Sequence, residues 1–285
     1  MMMTKILLYY LLVFAEMVVP LSRGITPAAK NAYRTLAIGD TWSSLIWMQV
    51  DEVTLSDQWL NLDKGRSRFI AHALGNYKYP NTLKGARESV AAGVRLLEVD
   101  LYKDSQGILR CHHGPEKPNT YKTGDCSLIK LLKALPENTF LILDIKTEFV
   151  ESAELIVKAL KDKALTHLSK KLIFQLYKPS DVEWFYSMAS KSPELIKNKP
   201  IVTLYRTYAT APFVSRLLPS SVGAIAYPID KINVHLKSFE YNVLGLRYKT
   251  FVHPIRSCSQ YKLTLTTSAY GVYGPSGLLA CALEN

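Results

Sequence analysis

The sequence predicts an α/β protein folded as a (β/α)8 TIM barrel, and three observations predict it. Eight short, β-rich apolar runs succeed one another between residues 69 and 274, most of them spaced widely enough to hold a helix. Strands that alternate with helical segments imply a parallel sheet, and eight such units suit closure into a barrel. The side chains that stand out chemically lie near the ends of these runs, where barrels of this class build their sites. A doubly wound open sheet is the competing architecture, but no G-x-G-x-x-G or Walker-type loop is present to support it.

The first element is apolar. Lys5 precedes an uncharged greasy run over residues 6–15, and Glu16 interrupts it. The run is shorter than the ~20 residues a spanning helix needs. It matches the central region of a secretory signal over residues 1–24. Residues 17–21 extend the greasy segment, so an uncleaved N-terminal anchor is the other reading. Either one predicts a secreted or periplasmic location, with a membrane anchor as the variant.

Residues 25–66 read as an irregular, partly helical lead-in. Its Trp42, Trp47 and Trp59 are expected to pack on a barrel domain spanning 67–285. The strand candidates follow as FIAHAL, RLLEVDLY, TFLILDIK, KLIFQLY, PIVTLYR, GAIAYPI, KTFVHPI and AYGVYG, with ILRCHHG as a short extra strand. Between them TLKGARESVAAG, SLIKLLKAL and ESAELIVKALKDKAL carry helical patterning. Gly93 is placed as the C′ glycine of the first helix, and Ser127 as the N-cap of the second.

Charge and cysteines bound the partners. The 285-residue chain has a formal net charge of +11 and is 48% hydrophobic, which excludes a disordered chain. A basic surface attracts nucleic acid, anionic lipid or phosphate-bearing small molecules. The basic residues are scattered, with no block of five or six, which argues against a dedicated nucleic-acid arm. Four cysteines are compatible with disulfides in an exported protein. Pairing by nearness in sequence predicts Cys111–Cys126 and Cys258–Cys281, one of three connectivities. A zinc site using Cys111, His112 and His113 is disfavoured, because no C-x-x-C pair exists.

The chemistry concentrates in three places. Glu98 and Asp100 are two apart in an apolar run, so a strand turns both to one face. Two carboxylates sharing a face repel and lose hydration unless a cation lies between them. Asp144 and Lys146 repeat the same-face pattern in LILDIK. His72 precedes these carboxylates and His113 lies between them in sequence. Imidazoles, carboxylates and an ammonium at strand ends suit cleavage of a phosphodiester around a divalent metal. His112 competes with His113, and alternation lets only one of them face the metal; the spacing from Glu98 favours His113. Arg206, ending the fifth run, is a candidate phosphate contact or a surface ion pair. Tyr177 and Trp184 are candidates for lining a pocket or for core packing, and His167, His235 and His253 read as structural or exposed.

At these residues the chain resembles the glycerophosphodiester phosphodiesterase superfamily, and within it the branch near sphingomyelinase D and related phospholipase-D-like enzymes. The first motif is His72 followed by a turn with Asn81, with Pro80 where relatives usually carry Glu. The second is Glu98, Asp100 and His113-Gly114, the His-Gly pair being closer to the sphingomyelinase D branch. The third is Asp144 and Lys146. The turn after the first His is altered to HALGNYKY, and the last strand ends GVYG where many relatives carry an acidic or polar residue.

The resemblance implies a barrel of the phospholipase-C-like phosphodiesterase type. It implies Mg²⁺, or another hard divalent cation, held by Glu98, Asp100 and Asp144. Lys146 would contact the substrate phosphate, and His72 and His113 would divide the proton work in an order the sequence leaves open. It also implies attack by a hydroxyl of the substrate itself, giving a cyclic phosphate. The expected substrate is a phospholipid or lysophospholipid head group at an anionic membrane surface. Soluble glycerophosphodiesters, or a catalytically silent barrel used for binding, are the alternatives. Nucleic-acid binding has only charge behind it.

Overall fold

The computed structural model describes residues 54–62, 68–115, 126–204, 222–229, 248–266 and 269–283. Among the described residues nine strands appear: β1 Phe69–Ala71, β2 Leu96–Lys103, β3 Leu109–Cys111, β4 Phe140–Ile145, β5 Leu172–Leu176, β6 Ile201–Thr203, β7 Ala224–Pro228, β8 Thr250–His253 and β9 Gly271–Gly274. Each falls inside the run expected to form it, except that β2 continues one residue further, to Lys103. The strands pair in the order β1-β9-β8-β7-β6-β5-β4-β2-β3, and a β1–β2 pairing closes the ring. All ring pairings are parallel. β3, the short extra strand, is antiparallel and extends the far end of β2. The architecture is therefore an eight-stranded parallel barrel with helices outside it.

The α-helices among the described residues are α1 Leu83–Ala91, α2 Leu128–Ala134, α3 Phe149–Leu160, α4 Pro179–Lys191, α5 Cys258–Leu265 and α6 Leu279–Leu283. Thr82 caps α1 by accepting from the Gly85 N–H at 3.1 Å. Gly93 follows its C-cap at φ +96°, as a C′ glycine should. Ser127 occupies the N-cap position of α2, but its side chain makes no capping bond; its backbone bridges Arg110 instead. α4 buries Val182, Phe185, Tyr186 and Ala189, a stripe at i, i+3, i+4 and i+7.

The period of two sorts the strand residues into two cores. Ile70, Leu96, Ile142, Ile173, Ile201, Phe251 and Tyr273 point inward. Leu97, Val99, Leu101, Leu141, Leu143, Phe174, Leu176 and Val252 point outward and pack under the helices. The inner core is stoppered by the lead-in. Trp59 is fully buried, and the Gly223 Cα lies so close that an added Cβ would meet the indole. The Leu60 carbonyl accepts from the Tyr270 hydroxyl at 2.8 Å, and Ser56 pairs with the backbone ahead of β6. These contacts all lie at the N-terminal ends of strands, which leaves the C-terminal ends for the site.

Both expected disulfides form, with Cα–Cα distances of 5.4 Å for Cys111–Cys126 and 5.9 Å for Cys258–Cys281. Among the described residues no helix is long and apolar enough to cross a membrane. The N-terminal segment 1–53, Trp42 and Trp47 included, and Arg206 lie outside the described residues.

Candidate active site

Above the inner apolar layer the same inward phase continues with polar side chains. Glu98 and Asp100 follow Leu96 on β2, and Asp144 follows Ile142 on β4. Register sets Asp100 directly beside Asp144. The three carboxylates each offer an oxygen, and these lie within 4.8 Å of one another. All three side chains are buried.

The network around them is specific. Glu98 Oε2 accepts from the Ala73 N–H at 2.7 Å. Asn81 Nδ2 donates to Asp100 Oδ2 at 2.7 Å, and Asn81 Oδ1 accepts from the Asp100 N–H at 3.0 Å. Lys146 Nζ donates to Asp144 Oδ2 at 2.6 Å and lies 3.0 Å from Asp100 Oδ1. His113 Nδ1 lies 3.2 Å from Asp100 Oδ1. His72 Nε2 lies 3.8 Å from Glu98 Oε2, and its Nδ1 is 3.2 Å from the Tyr77 hydroxyl.

Charge does not balance inside this cluster. Burial pushes the Glu98 carboxyl well up, and Asp100 and Asp144 push it further. Burial likewise raises Asp144 against the pull of Lys146. Burial alone would raise Asp100 too, but His113, Lys146 and Asn81 outweigh it and hold Asp100 well below the usual carboxylate range. Lys146 is held above its ordinary value, the two aspartates overriding its burial. Glu98 Oε1 and Asp144 Oδ1 are buried and accept no hydrogen bond from the described residues. Orphaned carboxylate oxygens within a cluster of three acids suit a hard divalent cation, which prefers oxygen ligands. The donor set fits such an ion.

The two histidines differ. Burial pushes His72 down to about 4. The hydrogen bond to Asp100 raises His113, whose side chain is 76% exposed at the mouth. His112 points elsewhere, its Nδ1 against the Gly114 carbonyl. The structure thus brings together His72, His113, Glu98, Asp100, Asp144 and Lys146.

No protein-family model matches the chain, and no curated protein sequence matches it. Solved structures do. A glycerophosphodiester phosphodiesterase from Thermotoga maritima superposes with a TM-score of 0.56 at 16% identity, covering 75% of this chain and 97% of that one. One from Parabacteroides distasonis gives 0.56 at 14%, covering 76% and 97%. A phosphodiesterase from Oleispira antarctica, solved with its product sn-glycerol-3-phosphate, gives 0.56 at 16%, covering 76% and 97%. The fold is that of the glycerophosphodiester phosphodiesterases.

On that fold, several residues join the site that the sequence reading did not assign to it. His253, read as structural or exposed, ends β8 with its ring 4.5 Å from that of His72 and 5.0 Å from that of Tyr273. Burial pushes it down to about 3. A period-two count along KTFVHPI from the inward Phe251 would have placed it inside. Tyr77 reaches the site through His72. Gln175, inward on β5, joins Tyr177 and accepts from the Tyr273 hydroxyl at 3.3 Å. Trp184 lies outside the barrel against Phe149 and Phe174, so it is packing and not pocket.

The altered turn after His72 keeps an unusual backbone. Ala73, Leu74 and Gly75 all have positive φ, at 49°, 61° and 84°. Non-glycine residues adopt this region at a cost of roughly 1–2 kcal/mol each. Here the conformation aims the Ala73 N–H at Glu98.

Proposed function

We propose that the protein is a metal-dependent phosphodiesterase that cleaves a phospholipid or lysophospholipid head group. The observation that carries this reading is the convergence of Glu98, Asp100 and Asp144 within 4.8 Å, with His72 and His113 on either side. Glu98, Asp100 and Asp144 would hold Mg²⁺ or a similar cation, which when bound neutralises charge developing on the substrate phosphate. Lys146 adds a fixed positive charge toward the same phosphate. His72, held neutral by burial, is suited to accept a proton or to attack phosphorus. His113, its proton favoured by Asp100, is suited to protonate the leaving alcohol. A pair of groups whose environments drive their proton affinities apart is the usual signature of divided acid–base work.

The glycerol phosphate bound by the Oleispira antarctica enzyme supports a glycerophosphodiester core for the substrate. The +11 net charge favours an anionic membrane surface, and the two disulfides support a secreted or periplasmic setting. The His113-Gly114 pair supports the branch resembling sphingomyelinase D. A second reading, a catalytically silent barrel, draws on one feature: the Lys146 ammonium already bridges Asp100 and Asp144.

Mass spectrometry of products separates these readings. Liposomes of mixed phospholipids, lysophospholipids and soluble glycerophosphodiesters are each incubated with Mg²⁺ or with EDTA. Head-group release from lipid, abolished by EDTA, is the expected result. Turnover of soluble diesters alone would narrow the substrate. No turnover of any diester at any metal concentration would leave the silent barrel.

A further inference from the structure

Near His253 lies a cavity of about 330 Å³, lined by Pro228, Ile229, His253, Pro254, Arg256 and Gln260. It adjoins the proposed active site through His253, which is a wall of the cavity and also packs on His72. The far wall carries a cation. Arg256 is exposed, and its guanidinium makes no ion pair or hydrogen bond with any described residue. Gln260 is held in place as Arg256's neighbour, its Oε1 accepting from the Arg256 N–H at 2.6 Å. The amide NH₂ of Gln260 is left to donate elsewhere. The remaining walls, Pro228, Ile229 and Pro254, are apolar, so the cavity sets a positive charge beside an apolar surface.

We propose that this cavity is a subsite for a second anionic group on the substrate, one carried by an alcohol of the phosphodiester and received by Arg256 and Gln260. Guanidinium presents a planar fork of donors that matches a carboxylate or a phosphomonoester. The preferred substrates are then diesters with a second phosphate or carboxylate a few carbons from the scissile phosphate. Those with a cationic or neutral alcohol are poorer. This inference rests on the cavity beside His72 being part of the proposed phosphodiesterase site.

Two measurements test it, one of which needs no turnover. In calorimetric titrations, bisphosphates of linear diols from propane-1,3-diol to hexane-1,6-diol are compared with the matching monophosphates. At least one bisphosphate should bind about tenfold tighter, the scale of one charge-assisted guanidinium contact. That ratio should fall to about one in Arg256→Met and stay intermediate in Arg256→Lys. Equal binding of every mono- and bisphosphate pair by the wild type overturns the subsite whether or not the protein is an enzyme. The second measurement compares kcat/KM for glycerophosphoglycerol with and without a terminal phosphate. A preference for the phosphorylated diester that Arg256→Glu reverses supports the subsite. Equal kcat/KM for the two rejects it and leaves the phosphodiesterase reading standing. Absence of turnover of both diesters alongside the bisphosphate preference rejects the phosphodiesterase reading and leaves the anion site standing.

Discussion

Asn81 and Asp100 hold each other by two hydrogen bonds, amide to carboxylate at 2.7 Å and backbone N–H to amide at 3.0 Å. Asn81 sits at φ +56°, a region asparagine tolerates better than most residues. The pair fixes one carboxylate of the cluster from a loop on the opposite side of the turn. Groups that orient metal ligands in this way are worth about 10–100-fold in affinity or activity. Asn81→Ala is expected to lower kcat/KM by that factor and to weaken Mg²⁺ binding in parallel. A Mg²⁺ titration of both proteins decides the matter, since an unchanged metal affinity would leave Asn81 with a purely structural role.

The histidines give a contrast between neighbours. His72→Ala and His113→Ala should each reduce kcat by about 10²–10⁴-fold, the range of a positioned acid or base. His112→Ala should keep activity, because its ring turns to the Gly114 carbonyl and away from Asp100. Circular dichroism confirms that each variant is folded. Activity lost in His112→Ala and kept in His113→Ala would reverse the assignment.

On the proposed metal reading, metal and pH are linked through Glu98 and Asp144. Both carboxyls are raised above their ordinary values by burial. A group raised in the folded state binds its proton more tightly there than in the unfolded chain. Without metal, its contribution is therefore present below the ordinary carboxylate pKa and lost as pH climbs through the raised value. Asp100, held low, has the opposite sign, and its contribution disappears only on acidification below the ordinary carboxylate range. A divalent ion replaces the missing protons. The stabilisation on adding Mg²⁺, read as a rise in Tm, should thus grow as pH climbs above the ordinary carboxylate range, approaching about 2.7 kcal/mol at a concentration of 100 Kd. Differential scanning calorimetry across this range reads the effect, and a Tm increment independent of pH would contradict it.

The turn after His72 stores strain. Ala73→Gly relieves a left-handed residue and costs some backbone entropy, so a net gain of about 1 kcal/mol is expected. Urea unfolding should show a higher midpoint with an unchanged slope. A lower midpoint would mean that the Ala73 methyl, which is 5% exposed, contributes more packing than the turn costs.

Much of this molecule was legible in the chain alone. Alternating apolar runs fixed the strands, because a strand's two faces must match two different surroundings, and all eight barrel strands fall where those runs lie. The same period of two placed Glu98 and Asp100, and Asp144 and Lys146, on common faces before any partner strand was known. Short sequence separation identified both disulfides. What the chain could not supply was distance across the ring. His253 is 181 positions from His72, and the T-shaped contact of their rings exists only because β1 and β8 both flank β9 in a closed barrel. The pairing of Asn81 with Asp100, 19 positions apart, likewise forms only once the chain is folded. Local periodicity says which face a side chain takes, whereas barrel closure decides which other faces it meets.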